Sequence, residues 1–406
     1  MLSDNSLDEL MQPIIERQEN ISNYVVNKIA KRIAEIGELK SSDAHRLQRL
    51  YETGADIRDI NKTLATMTEL QVVEIAKLIE TVARHAYIDL APYYDLTKSP
   101  YLPFKQNKPL QRIVKAIEKQ TLGTYRNLSR AQAFMVRDKN NPKILKPTSI
   151  AKTYQKTVDQ AIQASQMGVV DYRSAMRQTL KDLNESGIRY VEYNPETGKK
   201  FSQRLDTAVK RNLMDGIRAI NQGVQDVTGE QFGATGKEIS VHLNSAPDHE
   251  PIQGHQFSNT QWEKLQNNEP FEDVNGRKFK AIERPIGVLN CRHFAWSIMV
   301  GYTKPNYSVE QLDRMIEKNH EGYTDSNGRH YTLYECTQEQ RKLETLVRKN
   351  KNGQIMARNA GDTELAKFYQ RKINTYTHRY EAFSKACGLE MRKSNMTVSG
   401  YRRIGV

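Results

Sequence analysis

The strongest constraint on the fold of this chain is an apolar spacing of threes and fours that runs through its first half. Ile21, Val25, Ile29, Ile33 and Ile36 fall on one face of a helix, because residues three and four apart lie above one another at 3.6 residues per turn. Leu64, Met67, Leu70, Val73, Leu78, Val82 and Ala83 do much the same over a longer stretch. Further helical sets are predicted from Leu110 to Arg137, from Ala151 to Asn184 and from Ser202 to Val227. The last of these carries Leu205, Val209, Leu213, Ile217 and Ile220. After Thr337 the helical period returns, first with Leu343, Leu346 and Val347. Leu365, Phe368, Tyr369, Ile373, Tyr376, Tyr380 and Phe383 follow, a spacing that favours core packing of these aromatics over stacking on bases.

Three kinds of punctuation interrupt this pattern. Pro92, Pro100, Pro103 and Pro109 cluster around Tyr93 and Tyr94, and each proline removes a donor and restricts the residue before it, so a linker is expected there. Tyr190 to Tyr193 and Lys199 to Phe201 flank an Asn194-Pro195-Glu-Thr-Gly198 turn, the signature of a short two-stranded ribbon near residues 190–201. Asn275-Gly276 and Asn327-Gly328 are two more turn signals. The expected class is mostly α with a small α+β domain, helical arms flanking a compact polar core. The expected divisions are 1–100, 101–235, 236–336 and a basic helical tail at 337–406.

Composition narrows the function classes. Hydrophobic residues make up 38% and charged residues 27%, a balance that suits extended helices better than one large apolar core and leaves the arms to be covered by partners. No run approaches the roughly 20 apolar residues that cross a bilayer. The opening Met1-Leu-Ser-Asp-Asn-Ser is polar and acidic where a signal peptide is basic and then apolar, which points to a cytoplasm and away from membranes. Cys291, Cys336 and Cys387 are odd in number and widely spaced, which argues for reduced thiols. Residues 337–406 hold 15 Lys and Arg against 6 Asp and Glu, so this segment supplies +9 of the net +13. Arg341, Lys342, Arg348, Lys349, Lys351, Arg371, Lys372, Arg379, Arg402 and Arg403 are the candidates for contacting a polyphosphate.

Chemistry concentrates between His242 and His293. Ser240-Val-His242 leads to Pro247-Asp248-His249 and Gln253-Gly254-His255. The stretch closes with Pro285-Ile-Gly287 and Asn290-Cys291-Arg292-His293. His249, His255, Cys291 and His293 are donor types that zinc takes, and Cys291-x-His293 would project both side chains the same way from extended chain. The spacing matches no standard zinc pattern. The same residues could form a Cys–His nucleophile pair, or hydrogen-bond one another in a polar core. Trp262 and Trp296 would pack against that core.

The order of these residues resembles the phage minor capsid protein 2 family, in the group that includes the Mu F-like head morphogenesis proteins. That family shows Ser-x-His, a Gly-Ala-Arg-Pro-x-His block, Gln-Gly, Pro-x-Gly and Asn-Cys-Arg-His. The matching residues are Ser240, His242, Pro247, Asp248, His249, Gln253, Gly254, Pro285, Gly287, Asn290, Cys291, Arg292 and His293. The resemblance is traced from about Tyr190 onward. One departure is Ala246 before Pro247, where the family carries Arg; Arg284 and Arg292 are the candidates to stand in. The resemblance implies a minor structural protein of a tailed-phage head, incorporated near the portal. Portal and capsid or scaffolding proteins would be its partners, the basic tail would face packaged double-stranded DNA, and no cofactor is required. Two rival classes remain open: a metal-dependent hydrolase or nuclease using the His/Cys cluster, and a non-specific nucleic-acid-binding protein.

Overall fold

The computed structural model of the chain describes residues 4–37, 43–138, 141, 144–166, 172–193, 200–287, 291 and 293–406. The first half contains α1 (Asp4–Gly37), α2 (Asp43–Ile88), α3 (Ala91–Thr97), α4 (Lys108–Arg130), β1 (Gln132–Arg137), β2 (Leu145–Ser149), α5 (Ile150–Gln166), α6 (Tyr172–Ser186), β3 (Arg189–Tyr193), β4 (Lys200–Arg204) and α7 (Leu205–Phe232). The second half adds β5 (Gly236–Ile239), β6 (Gln256–Ser258), α8 (Asn259–Gln266), β7 (Phe271–Glu272), β8 (Lys278–Phe279), β9 (Ala295–Ile298), α9 (Val309–Glu321), β10 (Tyr323–Thr324), β11 (His330–Tyr331), α10 (Leu333–Asn359) and α11 (Thr363–Ala386). The class is mostly α with a small α+β part, as the sequence pattern predicts.

α7 is the axis of the helical body. Leu205, Val209, Leu213, Ile217, Ile220 and Val224 are all fully buried, and they face α4, α2 and α1. α4 approaches so closely that a Cβ at Gly216 would sit 2.6 Å from Thr121 Oγ1, which is why a glycine interrupts an otherwise good helix former. The helix ends at Gly233, whose φ of 76° lets its N–H and that of Ala234 cap Glu230 and Gly229.

Among the described residues, most of the apolar faces that composition seemed to leave for partners are covered within the chain. One continuous core joins α1, α2, α4, α5, α6 and α7 to Met356, Ala357, Leu365, Ala366 and Tyr369 of the C-terminal helix pair. A second cluster, Leu343, Val347, Ile373, Tyr380 and Met396, zips α10 to α11, with Tyr376 and Phe383 packed at its edge. The proline-rich stretch turns the chain and is itself packed. Tyr87 stacks on Tyr101 at 5.0 Å between centroids, and buried Tyr94 donates to Gln231 of α7.

Two boundaries and one buried face differ from the periodicity reading. The second helical set stops at Arg130, and Gln132–Arg137 becomes a strand that pairs with β2 and buries Ala133 and Phe134. The third set is two helices, α5 and α6. On α2 the buried stripe is Gln71, Ile75, Leu78, Ile79, Val82 and Ala83, while Leu70 and Val73 stand exposed. β3 and β4 pair from Arg189↔Arg204 to Tyr193↔Lys200; the Asn194–Gly198 turn lies outside the described residues. Both Asn-Gly signals sit in hairpin turns, with Gly276 and Gly328 at φ of 81° and 80°.

Candidate functional site

A three-stranded antiparallel sheet, β6-β5-β9, assembles the site. Its register, Ile239↔Ala295 between β5 and β9, sets Ser240–His242 beside His293 and Phe294. The exchange continues beyond the strands. Ser240 N–H donates to Phe294 O at 2.9 Å, and Phe294 N–H donates to Ser240 Oγ at 3.1 Å. The β5–β6 loop then folds back. Ala246 O accepts the N–H groups of His249 and Glu250, and Gly254, at a φ of 75°, returns its N–H to Ile239 O at 3.0 Å. Leu312 closes on the position a Gly254 Cβ would take, so glycine is required there for space as well as for φ.

His249, Cys291 and His293 meet, all buried. Cys291 Sγ lies 3.3 Å from His249 Nδ1 and 3.6 Å from His293 Nδ1, and it accepts the His293 N–H at 3.3 Å. His249 Nε2 bonds Arg284 O at 2.9 Å, and His293 Nε2 bonds Gln253 Oε1 at 3.3 Å. Burial opposes charge on the Cys291 thiol and the His249 ring. Their mutual hydrogen bond and attraction win, holding the thiol below its ordinary value and the imidazole above it. Burial drives His293 the other way, well below the ordinary histidine value, and His242 and His249 reinforce it, so this ring is neutral. Arg284 clamps Asp248 with two hydrogen bonds of 2.7 Å, a bidentate bridge in the neighbourhood where Ala246 supplies no guanidinium. The three buried donors line a cleft of about 230 Å³ whose other walls include His242, Arg284, Tyr334, Arg341 and Arg392.

His255 stands apart from this group. It bonds Asp273 at 2.8 Å and packs against Phe279. Pro247 is exposed on the loop; Gly287 turns at a φ of 88° beside Arg218. Asn290 and Arg292 lie outside the described residues. Trp262 packs on the small apolar cluster around Phe257, and Trp296 meets Phe294 edge-on at 4.9 Å. All three cysteines are free and buried.

Among the described residues that apolar cluster has seven buried members, so polar pairs carry much of the unit's order. Glu238, fully buried, accepts from Gln256 at 2.7 Å and Asn306 at 2.6 Å. Buried Lys237 reaches Asp226 of α7 at 2.5 Å and Ser297 at 2.9 Å. Sequence reasoning missed both, because no local pattern marks a charge whose partner arrives from another element.

The basic tail divides in two. Arg348 pairs with Glu19 of α1 at 2.9 Å, Lys349 pairs with Glu185, and Lys351 donates to Met396 O beneath Tyr401. Lys342 pairs with Glu339 on the surface, Lys372 lies over Phe368, and Arg341 lines the cleft. Arg371, Arg379, Arg402 and Arg403 are exposed and make no ion pair among the described residues.

Fold and site together define a mostly helical protein built on one long buried helix, with a small α+β unit whose loops are tied by buried polar side chains. Among the described residues no helix is long and apolar enough to cross a membrane. The family model described as Phage minor capsid protein 2 matches residues 2–384, and the chain belongs to that family. It is thereby a structural protein of a phage head, carried in the virion. The match extends well upstream of Tyr190, where the motif resemblance begins, and takes in the whole helical body. No curated protein and no solved structure matches the chain.

Proposed function

We propose that the protein enters the head during assembly near the portal, against portal and capsid or scaffolding proteins, and turns its C-terminal segment toward the packaged double-stranded DNA. The observation that carries the DNA-facing part is the division of the basic residues. Arg348, Lys349 and Lys351 are engaged within the chain, whereas Arg371, Arg379, Arg402 and Arg403 are exposed and outside any ion pair among the described residues. Exposed guanidiniums contact phosphates without reading bases, which suits a component lying against DNA of any sequence.

Quantitative mass spectrometry of purified particles tests the assembly part. A few copies in both DNA-filled heads and empty proheads are expected; absence from both would sink it. Salt-dependent binding to duplex DNA tests the second part. Replacing the four arginines by alanine is expected to flatten the slope of log affinity against log salt by about 3.6, at about 0.9 per phosphate contact. An unchanged slope would remove this segment from the DNA-facing role.

A further inference from the structure

We propose that His249, Cys291 and His293 form a zinc site whose fourth coordination position opens into the cleft lined by Arg284, Arg341 and Arg392. The two sulfur–nitrogen distances fit the ion first. Zinc–sulfur and zinc–nitrogen bonds of about 2.3 and 2.0 Å at a tetrahedral angle place a sulfur and a nitrogen ligand about 3.5 Å apart. The Cys291 Sγ separations from the two Nδ1 atoms are 3.3 and 3.6 Å.

The hydrogen bonds around the site decide which ring nitrogens are available. His249 Nε2 faces the backbone carbonyl of Arg284, an acceptor only, so Nε2 carries the proton and Nδ1 is turned to the sulfur. Gln253 Oε1 accepts the His242 backbone N–H at 2.9 Å, which fixes the amide oxygen toward His293. Ser245 Oγ, also 3.3 Å from His293 Nε2, turns its own proton to Ala246 O, so both partners accept and His293 Nε2 is a donor as well. Two Nδ1 atoms therefore converge on one sulfur that has at most one proton to give. A cation satisfies all three donors at once, and partners on the far side of each ring are how metal-ligating histidines are held. The His293 N–H pointing at Cys291 Sγ stabilises sulfur in its charged form. Whether the shared proton rests on Cys291 or on His249, zinc binding releases one. The three protein ligands border the cleft, so the remaining position takes an oxygen ligand from solvent or from an anion drawn by the guanidiniums.

The site is independent of the head-assembly reading, and its test uses the isolated full chain. Protein purified with zinc present and then gel-filtered is expected to retain about one zinc per chain. X-ray absorption at the zinc edge should show one sulfur and two imidazole nitrogens with an oxygen completing the shell. Cobalt substitution should give a thiolate-to-metal charge-transfer band that disappears in Cys291→Ser and persists in His255→Ala. Wild-type protein that holds no zinc, or a shell without sulfur, overturns the proposal without recourse to any variant. A cobalt–thiolate band that survives Cys291→Ser places the ligand elsewhere and overturns it too.

Discussion

Ile217→Ala is expected to lower the folding stability of the chain by about 3 kcal/mol, within the roughly 2–5 kcal/mol that such truncations cost in a packed interior. Ile217 is fully buried on α7, the helix on which α1, α2 and α4 converge, and its neighbour Gly216 lies against Thr121. With α4 already this close, little room remains for the walls to collapse into the space the substitution leaves. Urea titration of the isolated chain, followed by far-UV circular dichroism, should show the midpoint falling while the slope stays constant. Val73→Ala is the control: Val73 is exposed on α2, and alanine is the better helix former, so its midpoint should hold or rise slightly. A drop below about 1 kcal/mol for Ile217→Ala would mean that α7 is not the structural axis.

α7 could be read directly from the chain because each turn repeats the same requirement, and period alone reports it. α2 shows where that method stops. Counting apolar residues selects Leu70 and Val73, yet the buried position is Gln71, which donates to Ile14 O at 2.8 Å and accepts from Tyr125. A glutamine with two partners from other helices is a satisfied core residue, and hydropathy scores it as surface. The site divides in the same way. Cys291 and His293 could be paired from sequence, since alternate residues of extended chain share a side. The third member could not, because His249 and His255 offer the same donor and both lie far from Cys291 in the chain. The β5–β9 register and the Gly254 turn bring His249 to the sulfur and send His255 to Asp273. The basic tail was legible in net charge and not in disposition. Only the packing of α10 against α1 and α6 shows that Arg348 and Lys349 meet Glu19 and Glu185.

Glu19→Gln is expected to stabilise the protein progressively as pH rises from about 5 to 7. Glu19 is 8% exposed on α1 where α7 and α10 close over it. Burial pushes its carboxyl up to about 7, with Asp206 and Glu16 adding repulsion; Arg348 at 2.9 Å and Arg204 pull the other way. The Arg348 guanidinium also donates to Asn395 O and keeps 22% of its side chain exposed, so its charge is divided among several partners. The sign follows from proton counting. Below the unfolded carboxyl value both states hold the proton, and the contribution is flat. Between that value and about 7 the folded state keeps a proton that the unfolded state has released, so stability falls as pH rises. Above about 7 the loss is complete, on the order of 3 kcal/mol at 1.36 kcal/mol per pKa unit. Glutamine fills the same volume and does not titrate. The quantity to follow is therefore the difference in urea-derived stability between variant and wild type at pH 4, 6 and 8, which cancels the slopes of all other groups. That difference should grow across the series in favour of the variant. A flat difference, or one that favours the wild type at pH 8, would mean that Arg348 outweighs burial and that the α1–α10 contact rests on an ionised Glu19.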